Sequence, residues 1–242
     1  MEGHTVRTFD ADILNLRIQV LAMGGLAIDQ VQRAVQVLTG GDDEAARGVI
    51  ARHAEIMAAA RAIEEEIIGV IARRQPVASD LRGILMIGRI ATDLERVGNA
   101  ARKIARLALE LEQARAGLPP RFYNDVRKMS RLALVMLREA LYCFDRIDLE
   151  RAEAVVRRDA EVDSEFQLAL RELVTYVMED QRHLASTIEI VFVLKALERV
   201  GDHARNIAAA VPRFGRREEV AASPPPASRA GAEVGSDPHA LG

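Results

Sequence analysis

Apolar residues recur along this chain at spacings of three and four, the pattern of helices that bury one face against a core. In the last predicted helix, for example, Val193, Leu197 and Val200 lie on one continuous apolar stripe. Together with the positions of glycine, proline and capping residues, the pattern predicts six long helices. They cover about residues 6–39, 42–74, 79–117, 121–146, 148–180 and 184–211.

Turn-forming residues divide these helices into two groups of three. Gly40 and Gly41 end the first helix, and Asp42 or Asp43 can cap the second. The sequence Leu-Pro-Pro at 118–120 is the strongest break inside the helical part, so we place a domain boundary there. Helices of this length are not stable singly as amphipathic surfaces and must pack lengthwise.

The expected fold is therefore all-α, with two tandem three-helix bundles at residues 1–117 and 118–214. The remaining segment, 215–242, is rich in Ala, Ser, Gly and Pro. Such a segment cannot bury enough apolar surface to order itself, and it is predicted to be a disordered tail.

A twelve-residue sequence occurs twice, once on the third predicted helix and once on the sixth. LERVGNAARKIA begins at Leu94 and LERVGDHARNIA begins at Leu197, and nine of the twelve positions are identical. A match of this length at equivalent places in the two halves indicates an internal duplication.

Each copy carries two oxygen-bearing side chains one helical turn apart, and the fifth helix carries another such pair. In the second half these are Glu198 with Asp202, and Asp159 with Asp163. If the fifth and sixth helices are neighbours, the four carboxylates converge, and a bound cation would remove their repulsion. Oxygen ligands without cysteine favour magnesium, calcium, manganese or iron over a closed zinc site.

A second interpretation needs no metal. Acidic residues four apart are common on helices, and these could be solvated side chains paired with Arg158, Arg199 and Arg205.

The corresponding site in the first half is eroded. The alignment puts His53 opposite Asp159, Met57 opposite Asp163 and Asn99 opposite Asp202, and leaves Glu95 as the only carboxylate. His53, Asn99 and Glu95 could still bind a metal, but a thioether is a poor ligand for hard cations. We expect the second-half site to bind metal much better.

Composition and cysteine content limit the partners and the cellular compartment that we expect. The 242 residues are 49% apolar and 29% charged with a net charge of −3, so nucleic acid is a poor candidate partner. The chain has a single cysteine, Cys143, so it cannot form an internal disulfide, which fits a reducing compartment. We expect Cys143 to lie in the core. We find neither a signal peptide nor an uninterrupted apolar stretch of about 18 residues, and therefore expect a cytoplasmic protein without direct membrane insertion.

Several motifs resemble those of the PhoU family of phosphate-signalling regulators, over almost the whole chain. They are HTVRTFDADI and MGG near the start, QPVASDLR from Gln75, DLERVGN from Asp93, TYVMEDQR from Thr175, and ALERVGDHARNIA from Ala196. The resemblance implies two three-helix bundles, a homodimer, and acidic motifs that hold iron, zinc or other metal clusters. On this chain those motifs are Asp159 with Asp163 and Glu198 with Asp202.

The resemblance also implies a regulatory role. Such proteins connect the ATPase subunit of the phosphate ABC transporter to a sensor histidine kinase, and they repress the phosphate-starvation response when phosphate is plentiful. They can lie at the inner membrane through these partners. The alternative is a metal-free helical scaffold that serves for docking. An enzyme is not expected, because the chain lacks Glu-x-x-His pairs, a glycine-rich phosphate loop and a G-x-S-x-G motif.

Overall fold

Long α-helices account for nearly all of the chain that the structure describes. The computed structural model describes residues 2–111 and 119–222, with side chains within 9–111 and 119–212. The helices are α1 (Glu2–Gly40), α2 (Asp43–Arg74), α3 (Ala78–Leu111), α4 (Pro120–Arg146), α5 (Leu149–Glu179) and α6 (Leu184–Ala222), with a 3₁₀ turn at Gln181–His183 before α6. The six predicted helices are confirmed. The predicted domain boundary and the predicted end of the third helix near Gly117 lie outside the described residues.

The helices pack as two three-helix sets. Within the first set α1, α2 and α3 contact one another, and α4, α5 and α6 do the same in the second. The sets meet chiefly along α3 against α6 and α1 against α4, so that α2 and α5 lie on the outer sides. This confirms the predicted all-α fold of two three-helix bundles and places both copies of the repeated motif at their junction.

The turn between the first two helices of each bundle is built in the same way. Gly41 adopts a left-handed backbone with φ 75°, and Ile147 adopts the same region with φ 54°. The next residue, Asp42 or Asp148, caps the following helix by accepting a backbone hydrogen bond at 2.9 Å or 3.0 Å. The second turn therefore places a β-branched residue where glycine is favoured.

Glycines in the repeated motif allow close approach within each bundle. A Cβ atom added at Gly98 would lie 2.8 Å from Ile56 Cδ1, and one at Gly201 would lie 3.3 Å from Val162 Cγ1. In both copies the glycine on the third helix therefore faces an aliphatic side chain of the second helix. An added Cβ at Gly25, by contrast, would meet nothing within 4 Å.

The last helix extends further than its sequence pattern predicts. We expected an end near Val211 and a disordered tail from Gly215, but α6 continues through Pro212 to Ala222. Helix-forming residues at 216–222 account for the extension. The rest of the predicted tail, 223–242, lies outside the described residues.

Helix α1 has a composition that also occurs in membrane spans. The segment Phe9–Gly40 is long and apolar enough to cross a bilayer, with a hydropathy of 1.4 in its most apolar window. A core helix has the same properties, and α1 buries Leu16, Val20 and Ala27 completely. The absence of membrane insertion stays a prediction.

The packing at Gly98 predicts opposite effects for two glycine-to-alanine substitutions. Gly98→Ala should lower the free energy of unfolding by about 1 kcal/mol, because overpacking against Ile56 outweighs the gain in helix propensity. Gly25→Ala, in open space inside α1, should raise it by about 0.5–1 kcal/mol. Urea unfolding of both variants measures the difference. Equal changes would contradict the close packing of α2 against α3.

Candidate functional site

The second-half carboxylates lie where α5 packs against α6, and an arginine holds two of them. Asp159 of α5 is only 6% exposed. The Arg205 guanidinium of α6 donates to Asp159 Oδ2, and its Nη2 lies 3.1 Å from Asp202 Oδ1. One cation thus joins the two helices and balances two acidic side chains.

The other two predicted ligands have different surroundings. Asp163 is exposed one turn beyond Asp159. Glu198 is half-buried, with Oε1 paired to Lys195 Nζ and Oε2 buried without a hydrogen-bond partner. Because Asp163 and Asp202 both act electrostatically on Asp159, the structure places these three acidic groups on the same side of the bundle.

Burial dominates the electrostatics of Asp159. Removal from water raises the pKa of this carboxyl above its ordinary value of 3.8. Arg205 opposes the rise in pKa through its charge and its hydrogen bond, whereas the negative charges of Asp163 and Asp202 add to it. A cation beside Asp159 therefore stabilises the charged form of this carboxyl.

The arrangement does not provide a ready metal site. Within 9–111 and 119–212, no three His, Cys, Asp or Glu side chains lie close enough together to hold an ion. Arg205 is inserted where the cation would bind, as the interpretation without metal expected. Of the other two arginines in that interpretation, Arg158 pairs with Glu139 of α4 at 3.0 Å, and Arg199 is exposed on α6.

The first half repeats this geometry with different chemistry. His53 is buried at the position of Asp159, and its Nδ1 faces Gly98 without a hydrogen-bond partner. Asn99 stands in place of Asp202, and its Oδ1 accepts a hydrogen bond of 3.0 Å from Arg102. Among the residues that the structure describes, Arg102 forms no ion pair, and its hydrogen-bond acceptor is the neutral Asn99. Met57 and Glu95 line a separate cavity of about 350 Å³ between α2 and α3.

Desolvation also has the largest effect on the pKa of His53. Burial lowers the pKa of its imidazole below 6.5, and the positive charges of Arg102 and Arg106 lower it further. The charge of Glu95 and the hydrogen bond with Asn99 act in the opposite direction. His53 is accordingly a neutral core residue at physiological pH.

One polar contact across the bundle junction was not foreseen. His203 of α6 lies with Nδ1 2.9 Å from Oδ1 of Asp93, a buried residue of α3. The periodicity contained a clue, since Asp93 falls on an apolar stripe between Ile90 and Val97. Its partner lies 110 positions away, and a pattern read along the chain cannot identify it.

Comparison with known proteins identifies relatives of this architecture. A family model described as PhoU domain matches twice, at residues 20–108 and 126–211. A phosphate-specific transport system accessory protein PhoU homolog from Pseudomonas aeruginosa is 44% identical over 85% of this chain and 84% of its own length. The accessory protein PhoU of Escherichia coli is 35% identical over 86% of this chain and 85% of its own length.

Solved structures agree in fold. The crystal structure of PhoU from Pseudomonas aeruginosa matches with a TM-score of 0.81 and 44% identity, covering 86% of this chain and 99% of that one. The phosphate transport system regulatory protein PhoU from Streptococcus pneumoniae matches with a TM-score of 0.78 and 26% identity, over 86% and 96% of the two chains. The two domain matches coincide with the two bundles and support the internal duplication.

The lowered pKa of His53 predicts that the folded protein loses stability as pH falls. Below pH 6.5 the unfolded chain binds a proton at His53 that the folded chain resists, so the free energy of unfolding falls as pH falls. The loss is at most about 1.4 kcal/mol per pH unit. His53→Gln should remove this pH dependence. The free energies of unfolding of the variant and the wild type should therefore approach each other as pH falls from about 7.5 to about 5.5. Parallel stability profiles of the two proteins would contradict the neutral assignment.

Proposed function

Because the chain belongs to the PhoU family, we propose that it represses the phosphate-starvation response when phosphate is plentiful. Membership of this family indicates a regulatory and accessory role in phosphate transport. The duplicated PhoU domain, which spans the helical part of the chain, is the observation that carries the proposal. The relatives from Pseudomonas aeruginosa and Escherichia coli are matched over most of their length, and their names describe accessory proteins of phosphate transport.

The proposed partners are the ATPase subunit of the phosphate ABC transporter and a sensor histidine kinase. An adaptor between them would work in the cytoplasm, at the inner face of the membrane, and as a homodimer. The chain offers exposed apolar side chains that suit protein contacts, such as Leu14 and Ile18 one turn apart on α1. The proposed activity is binding and not catalysis, as expected for a family of accessory proteins.

Metal binding by Asp159, Asp163, Glu198 and Asp202 stays a prediction. It requires Arg205 to leave the two carboxylates that it now pairs with. The unpartnered Oε2 of Glu198 is an additional oxygen near the same helix face. A metal-free scaffold is the second candidate, and it is favoured by the position of Arg205 between Asp159 and Asp202.

Deletion of the gene tests the regulatory proposal. Cells without the protein should express alkaline phosphatase in high-phosphate medium, because repression is lost, and the wild-type chain should restore repression. The measurement is phosphatase activity per cell, with low-phosphate cultures as the fully induced reference. Unchanged activity in the deletion strain would argue against the role. Capture of the ATPase subunit and the kinase by the tagged protein tests the partners separately.

Competition between Arg205 and a cation gives a test of the metal prediction. Arg205→Gln should bind Mn²⁺ about tenfold or more tightly than wild type, because Asp159 and Asp202 lose the cation that balances them. Arg102→Gln is the matched control at the equivalent position of the first half, where the partner of the arginine is the neutral Asn99. Calorimetric titration measures both affinities. Equal Mn²⁺ binding by wild type and Arg205→Gln would show that these carboxylates do not form the site.

A further inference from the structure

An open cleft of about 850 Å³ lies between α3 and α6, where the two bundles meet. Its walls carry seven cationic side chains: Arg96, Arg102, Lys103 and Arg106 from α3, and Lys195, Arg199 and Arg205 from α6. The single carboxylate among its lining residues is Asp202. This concentration of positive charge occurs on a chain whose net charge is −3, so it is a local feature and not a consequence of composition.

The duplication places arginines on both walls. Arg96 and Arg199 are the arginines of the two L-E-R-V-G sequences, and Arg102 and Arg205 follow six positions later in each copy. Because α3 and α6 face each other, the four side chains line one cleft from two sides. The first half contains both arginines although three of its four corresponding acidic positions hold His53, Met57 and Asn99, so the presence of these arginines does not depend on a complete acidic cluster.

Several of these charges are not balanced. Arg205 is paired with Asp159 and Asp202, and Lys195 with Glu198. Across the described parts of the chain, no carboxylate lies within ion-pair distance of Arg96, Arg106 or Arg199, whose side chains are exposed. In water, like charges about 4 Å apart repel by about 1 kcal/mol per pair, and by less at greater distances. An anion bound in the cleft would offset this repulsion, because it attracts each of the cations.

The uncharged residues that line the cleft suit a small polar ligand better than a protein segment. Stable docking of a protein needs apolar anchors in a buried pocket, and the apolar lining residues here are two alanines, Ala100 and Ala196. Asn99, Asn206 and His203 provide hydrogen-bonding groups instead. The bond from His203 to the buried Asp93 fixes the imidazole at the cleft wall. The volume is in the range of small-molecule sites.

We propose that this cleft binds a linear oligophosphate, a ligand with several adjacent phosphoryl groups such as tripolyphosphate or the phosphate chain of a nucleotide. The backbone positions of Arg96 and Arg106 are about 15 Å apart along α3 at the helical rise, so the row of cationic residues is longer than one phosphate ion. Guanidinium groups bind phosphoryl oxygens through paired, charge-assisted hydrogen bonds. The inference concerns the purified chain and does not rest on the proposed regulatory role.

Calorimetric titration of the full-length protein with tripolyphosphate tests the proposal. Wild type should bind, and Arg96→Gln/Arg199→Gln should bind about 100-fold more weakly, roughly tenfold for each lost charged contact. The matched control is Arg138→Gln/Arg171→Gln, which makes the same charge change at exposed arginines of α4 and α5, outside the cleft. Its affinity should stay within about twofold of wild type. Thermal unfolding verifies that both double variants fold.

The same titrations distinguish the sources of the phosphoryl groups. ATP binding more tightly than tripolyphosphate assigns a nucleotide, and equal affinities assign the phosphate chain alone. The proposal is overturned if wild type does not bind either compound, or if the two double variants lose affinity equally. Inorganic phosphate binding as tightly as tripolyphosphate, or an oligoglutamate peptide binding more tightly, would likewise overturn the oligophosphate assignment.

Discussion

The packing of α3 against α6 is the constraint on which the arrangement of polar groups depends. Each of these helices is buried on two sides, against its own bundle and against the other one. A polar side chain beside such a surface must find a partner inside the protein, because water reaches only part of it. Asp93 meets His203 across the junction for this reason, and Arg205 meets Asp159 across the α5–α6 contact.

The two bundles keep one geometry and differ in charge. In the second, Arg205 is balanced by Asp159 and Asp202, whereas in the first Arg102 meets Asn99 and lies near the neutral His53. In the first half, His53, Met57 and Asn99 occupy three of the four corresponding acidic positions. In the part of the chain that the structure describes, Arg102 therefore has no carboxylate partner at the wall of the cleft.

Periodicity was sufficient to predict the helices because each one buries a continuous stripe, and the Asp42 cap followed from a side chain adjacent to its helix. Contacts between distant segments could not be obtained in that way. The motif spacing predicted that acidic groups approach one another, which the surroundings of Asp159 agree with, but not that Arg205 would lie between them. No local rule predicts the left-handed backbone of Ile147, a residue that packs against the core, because propensity disfavours it.

Arg205 belongs to both of the sites for which we propose ligands. It lines the cleft, and it also pairs with Asp159 and Asp202 on the side toward α5. An anion that draws Arg205 into the cleft would leave those carboxylates free for a cation, and a cation on the carboxylates would return the arginine to the cleft. Thermodynamic linkage requires the two effects to be equal. The shared arginine is thus a physical means by which binding of a phosphorylated ligand and binding of a metal would strengthen each other.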